Sequence, residues 1–330
     1  MKRILIVLIA LAAVAVVILS AGRTSVPNLF ANSRRIPGYT TNGTIFLTRS
    51  WASPNEMVFP DAAYRGNSIQ LNIETGQQTI LPFGMQVLSS ARGAGVFGAQ
   101  SPDGRSRLAQ VKGRWRLTDQ RGNTIQDWPL WECVVLWDPK GGGWAGVDPG
   151  GRIVRLYRLG DPSPRLRRLS SGMVRPVWYD GGETIGFVTG QPTLFTSVAI
   201  VRLGDTPTTS TSPIRYPEGT TEALDFQASP DGKHIAWYLG RGKRSIGWMD
   251  RLLAYVKGWT SHSQGSGRYP PPMDAEGIWL SRPDGSDMRP VGEVKAEWSP
   301  EGMASFCWRP DGKSLLVTYR HGIYEVPIDR

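Results

Sequence analysis

The chain has 330 residues, 39 Gly and 25 Pro against 20% charged and 40% hydrophobic residues, a balance heavy in chain-reversing residues that favours many short strands over long helices. The formal charge of +10 could point to a polyanion, but the basic residues are dispersed, with Arg165, Arg167 and Arg168 as the densest group, so a solvated surface is expected and no nucleic-acid partner.

The N-terminus opens with Lys2 and Arg3, then runs from Ile4 to Leu19 without a charge or a polar side chain before Ser20, Ala21 and Gly22. That order of basic, apolar and small residues is the pattern of an export signal. The run is long for a signal-peptide core and slightly short for a span of about 20 residues, so cleavage and retention both stay open. Cutting after Ala21 would leave bulky Leu19 three positions before the cut, whereas cutting after Gly22 leaves Ser20, and no cysteine follows for lipid attachment. An uncleaved signal-anchor over residues 1–22, with Lys2 and Arg3 held inside, is the favoured reading. Residues 23–39, with Pro27, Pro37, Asn28 and Asn32, read as a stalk leading to a domain over 40–330.

Within that domain the phrases Ser101-Pro102-Asp103-Gly104, Ser229-Pro230-Asp231-Gly232 and Arg309-Pro310-Asp311-Gly312 recur between apolar segments. Pro presets the turn, Asp hydrogen-bonds nearby backbone and Gly accepts positive φ, so each predicts a hairpin reversal. Weaker versions stand at 53–56, 138–141 and 179–182. Taking Asn55, Asp103, Lys140, Gly181, Asp231 and Asp311 as markers, the steps are 48, 37, 41, 50 and 80 residues. Four of them fit a unit of about 40 to 50 residues. A second hairpin follows in most units: around Thr75-Gly76, around Arg121-Gly122, and over Ile278 to Arg289. Two hairpins make a four-stranded meander that cannot bury both faces alone, which predicts a ring of such units, a six-bladed β-propeller.

The run Ser229 to Lys233 followed by Ile235-Ala236-Trp237, with Ile278 to Ser286 behind it, resembles the WD40-like (PD40-type) repeats of the TolB family of six-bladed propellers, over roughly 97–122, 222–239 and 276–326. The resemblance implies a propeller acting in the bacterial cell envelope through protein contacts; related propellers serve as accessory domains of serine peptidases. TolB itself carries an N-terminal α/β domain, for which this chain has no matching stretch.

The last unit supplies three strands, near Met303 to Trp308, Ser314 to Tyr319 and Gly322 to Pro327. A closed ring needs a fourth, so a segment between about Arg34 and Thr48 is expected beside Ile323 to Val326. In that ring Cys133 and Cys307 lie on innermost strands across the axis and are not expected to pair.

The 80-residue step exceeds a unit by roughly 35 residues, placing an insertion at about 241–274. Ile246, Met249, Leu252, Leu253 and Val256 fall at helical spacing over Ser245 to Trp259, and Ser261 to Pro272 reads as a loop. Trp248, Met249, Leu252, Tyr255, Val256 and Trp259 form the candidate interaction surface, for a membrane or a protein partner; a helix that simply caps one mouth of the propeller is the alternative.

No G-x-S-x-G elbow is present and the chain ends inside the repeat, so a peptidase is not expected. His234, His262 and His321 lack metal-ligand spacing. Asp103, Asp231, Asp284 and Asp311 have a sufficient role in turns. The residues call for no catalytic group, metal or cofactor. They leave two readings open: a non-catalytic, membrane-tethered or periplasmic propeller that binds an envelope protein, or an extracellular carbohydrate-binding or carbohydrate-active propeller. In the second, clustered acids and some of the 13 tryptophans would line the channel.

Overall fold

The computed structural model describes residues 26–39, 51–60, 68–81, 98–101, 106–119, 121–131, 133–138, 142–148, 152–168, 174–179, 184–191, 194–202, 208–242, 273–297, 303 and 305–328. The described residues are all-β and form six four-stranded antiparallel sheets. The first sheet holds β2 (Trp51–Ser53), β3 (Glu56–Pro60), β4 (Ser68–Asn72) and β5 (Gln78–Leu81). The second holds β6 (Gly98–Gln100), β7 (Ser106–Val111), β8 (Arg114–Asp119) and β9 (Thr124–Pro129). The third holds β10 (Val134–Trp137), β11 (Gly143–Val147), β12 (Ile153–Arg158) and β13 (Arg165–Arg168). The fourth holds β14 (Val174–Tyr179), β15 (Thr184–Gln191), β16 (Leu194–Arg202) and β17 (Thr208–Pro213). The fifth holds β18 (Thr220–Ala228), β19 (Ile235–Arg241), β20 (Ala275–Ser281) and β21 (Arg289–Lys295). The sixth joins β22 (Phe306–Trp308), β23 (Ser314–Tyr319) and β24 (Gly322–Pro327) to β1 (Arg34–Arg35).

Of the six marker residues, Asn55, Asp231 and Asp311 fall between β2 and β3, β18 and β19, and β22 and β23, while Asp103, Lys140 and Gly181 lie outside the described residues. At Ser229-Pro230-Asp231-Gly232 the chemistry of the turn is explicit. The Asp231 carboxylate accepts from the Ser229 hydroxyl at 2.6 Å and from the Lys233 N–H at 3.1 Å, while Gly232, at φ 71°, donates its N–H to the Ser229 carbonyl. Asp311 and Asp284 accept in the same way from the N–H groups of Lys313 and Ser286. These acids are therefore structural, as their place in the repeat implies.

The fourth strand of the sixth sheet comes from the N-terminal side, with Arg34 opposite Glu325 and Arg35 opposite Tyr324. This corrects the expectation of a stalk over 23–39 in its described part. Leu29, Ile36 and Tyr39 are buried, and the segment binds three sheets in turn. Its Leu29 N–H donates to the Glu293 carbonyl of the fifth sheet, its Ile36 N–H to the Ile323 carbonyl of the sixth, and its Gly38 carbonyl accepts from the Gln78 side chain of the first. A Cβ on Gly292 would collide with the Leu29 backbone, so this approach needs glycine there.

Five apolar clusters join successive sheets: second to third, third to fourth, fourth to fifth, fifth to sixth, and sixth back to first. Strand β19 shows how one sheet serves two neighbours. Ile235, Trp237 and Leu239 pack towards the fourth sheet, while Ala236 and Tyr238 pack towards the sixth. Alternate side chains leave opposite faces of a strand, so a strand buried on both faces reads as a continuous apolar run. Cys133 belongs to the second-to-third cluster and Cys307 to the sixth-to-first, and both are buried and in no disulfide.

Candidate functional site

The residues expected to form the interaction surface, Trp248, Met249, Leu252, Tyr255, Val256 and Trp259, lie outside the described residues, as does the helix expected to carry them. The root from which they depart is described in full. Strand β19 ends at Arg241 and β20 begins at Ala275, and these two residues pair directly. The equivalent connection between second and third strands is only 112–113 in the second sheet and 320–321 in the sixth. Both ends of the insertion are tied down. The Gly242 N–H donates to the Gly219 carbonyl, the Asp274 N–H to the Arg241 carbonyl, and the Ala296 N–H to the Asp274 carbonyl.

Arg241 is the central post of this root. Its guanidinium donates to the Glu218 carbonyl at 2.6 and 3.1 Å and to the Glu293 carboxylate at 2.8 Å, and it lies 5.5 Å from the Trp279 ring centroid. A planar fork that serves a carbonyl, a carboxylate and an aromatic face at once holds three chain segments in one geometry. Met273 is buried against Gly240, where a Cβ would collide with its thioether.

Beneath the root stands a buried acid. Glu276 on β20 is 4% exposed. Its Oε1 accepts the Met303 N–H at 2.7 Å, and its Oε2 lies 2.6 Å from the Tyr238 hydroxyl, which also lies 2.6 Å from the Met303 carbonyl. Burial raises the Glu276 pKa, with the nearby Glu297 carboxylate adding to the shift. Glu297 itself is held below the usual carboxylate range, chiefly by its hydrogen bonds with the Arg320 guanidinium. A spacing rule could not have singled out Glu276, because one acid in an apolar strand has no motif.

Elsewhere the polar groups serve the fold. Glu325 on β24 accepts from Arg309 at 2.6 Å, from Arg34 at 2.6 Å and from Ser314 at 2.9 Å, linking β1, β23 and β24. The Cys133 thiol is pushed up to about 12 by burial, which removes it as a nucleophile. Arg165, Arg167 and Arg168 make the outer strand β13. Trp115, Trp128, Trp144, Trp237, Trp279 and Trp308 are buried, so these rings present no face on which a sugar could stack. Trp298 and the Trp178 side chain lie outside the described residues, as does His262. Among the described residues no three His, Cys, Asp or Glu side chains gather as a metal site, and no helix is long and apolar enough to cross a membrane.

No protein-family model matches the chain, and no curated protein does. Several solved structures are similar to it. A putative TolB from Agrobacterium tumefaciens has a TM-score of 0.48 at 14% identity, over 86% of this chain and 90% of that one. An oligogalacturonate lyase in complex with manganese has a TM-score of 0.47 at 12% identity, over 90% and 95%. A chain of a mitotic checkpoint complex has a TM-score of 0.47 at 11% identity, over 90% and 93%.

Proposed function

We propose that the six sheets are the blades of a closed propeller, and that the protein is a non-catalytic scaffold that displays residues 243–272 to a protein partner in the bacterial cell envelope. The observation that carries this reading is the root of the insertion. A long connection stands where the second, fourth and sixth sheets have only two residues between their strands, and both of its ends are hydrogen-bonded to neighbouring strands around Arg241. Rigid elements that present a variable segment are a common way of building a binding site. The ring is supported by the order of the clusters, each sheet from the second onward against the next and the sixth against the first, with β1 paired on β24. The envelope location rests on the basic and apolar N-terminus.

The presented surface is Trp248, Met249, Leu252, Tyr255, Val256 and Trp259. Aromatic residues and methionine are enriched at the centres of protein interfaces. Replacing 243–272 by a two-residue turn tests the reading. Proteins captured by crosslinking on membranes that carry the full chain should be lost with the shortened chain, while its unfolding midpoint stays within the range of surface changes. The same captured set from both chains would refute the scaffold role. A periplasm-dependent reporter fused after Arg330 tests the location, and an inactive reporter would refute it.

A further inference from the structure

Glu276, Tyr238 and Met303 bring too many acceptors together for the hydrogens available. The Tyr238 hydroxyl oxygen lies 2.6 Å from both Glu276 Oε2 and the Met303 carbonyl oxygen. A tyrosine hydroxyl has one hydrogen, and neither a carboxylate nor a carbonyl has any. Were Glu276 ionised, one hydrogen would have to serve two oxygen pairs at the short end of the O–H···O range, and one pair would set lone pairs against each other. A proton on Oε2 resolves this. Glu276 then donates to the Tyr238 oxygen, Tyr238 donates to the Met303 carbonyl, and the Met303 N–H donates back to Glu276 Oε1 at 2.7 Å.

We infer that Glu276 is a protonated carboxylic acid in the folded protein at neutral pH, and that it locks the fifth sheet to the segment entering the sixth, next to the Arg241–Ala275 pair, until ionisation releases it. The lock spans β19 through Tyr238, β20 through Glu276 and the approach to β22 through Met303. Burial and the Glu297 carboxylate favour the neutral form, and they outweigh the hydrogen-bonding contacts with Tyr238, Met303 and the Glu297 N–H, which favour the ionised one. Glu222 on β18 acts on Tyr238, and Glu297, which follows β21, acts on Glu276. Tyr319 at the end of β23 feels both Glu276 and Glu297, and the neighbouring Arg320 is engaged by Glu297. The Glu297 N–H donates to Glu276, a bond available to either form of the acid.

The direction with pH follows from the sign of the shift. An acid whose folded pKa is raised stabilises the fold fully below its ordinary range, and that contribution is lost as pH climbs through the folded value. Glu276→Gln is the direct test, because the amide reproduces the protonated acid: its NH2 donates to Tyr238 and its carbonyl accepts from Met303. Denaturant unfolding of the full chain should show E276Q unfolding at higher denaturant than wild type at pH 8, with the difference shrinking towards pH 5. Above the ordinary glutamate pKa, the wild-type unfolding constant relative to the variant should grow about tenfold per pH unit, until the folded pKa is reached. Infrared spectra at pH 7 should show a protonated-carboxyl band in wild type that is missing from E276Q. An E276Q chain that unfolds earlier than wild type at pH 8 or fails to fold, or a wild-type spectrum without that band, overturns the inference.

Discussion

The junction between the second and third sheets and the junction between the fifth and sixth solve the same packing problem with different chemistry. The former is built from aromatic rings. Trp144 stacks on Tyr157 with centroids 3.6 Å apart and planes 3° from parallel, and Trp115 and Trp128 close around them. The indole N–H groups of Trp128 and Trp144 are buried without a partner. The latter junction is threaded by hydrogen bonds. Gln227 on β18 donates to the Phe306 carbonyl at 2.6 Å, Trp308 returns a bond to the Gln227 carbonyl at 3.1 Å, and the Glu276 cluster lies beyond. Apolar contact is non-directional, whereas buried polar bonds hold only in one register. The polar joint involves the sheet that β1 completes and the strands β19 and β20 from which the 243–272 segment departs.

Breaking the aromatic junction should have the largest effect. Trp144→Ala removes a fully buried ring and its stacking partner's contact, and a loss of about 3–5 kcal/mol is expected from the lost transfer energy and the remaining cavity. Denaturant unfolding should show it with no dependence on pH. The same change at the polar junction is smaller and differs in kind. Gln227→Ala strips the Phe306 carbonyl of its donor and should cost about 1–3 kcal/mol by leaving a buried acceptor unpaired. If Gln227→Ala proved as costly as Trp144→Ala, the contrast between the two junctions would fail.

The contrast also separates what could be read in the chain from what could not. Turn phrases are local chemistry, so Asp231 and Asp311 mark their hairpins, and a last repeat one strand short points to the N-terminal segment, where Arg34 and Arg35 pair with Glu325 and Tyr324. The packing of Leu29 against Gly292 was hidden, because an apolar residue between Asn28 and Phe30 has no periodicity to betray it. Glu276 was hidden for a related reason. Its meaning depends on Tyr238 and Met303, which come from sequence positions 38 and 27 residues away. Arg241 was readable only as the edge of an insertion, since its role is set by the Glu218 carbonyl and Glu293.

Glu325 sharpens the comparison from the other side of the sixth sheet. Burial alone would raise its pKa, but hydrogen bonds from Arg309, Arg34 and Ser314 outweigh that and hold it below the ordinary range. A depressed acid contributes stability that is present above its ordinary range and lost as pH falls through the folded value. Glu325→Gln should therefore cost about 1 kcal/mol at pH 7, after screening of a partly exposed network. The cost should fade in acid, where the wild-type carboxyl is itself neutral. Its gap from wild type thus opens with rising pH in the direction of a weaker variant, whereas the gap for Glu276→Gln opens with rising pH in the direction of a stronger one. Two glutamates on neighbouring sheets, both partly or wholly removed from water, differ in sign because one meets guanidinium groups and the other meets a hydroxyl and a peptide. Measuring both variants on one pH series would collapse the distinction if their gaps moved together.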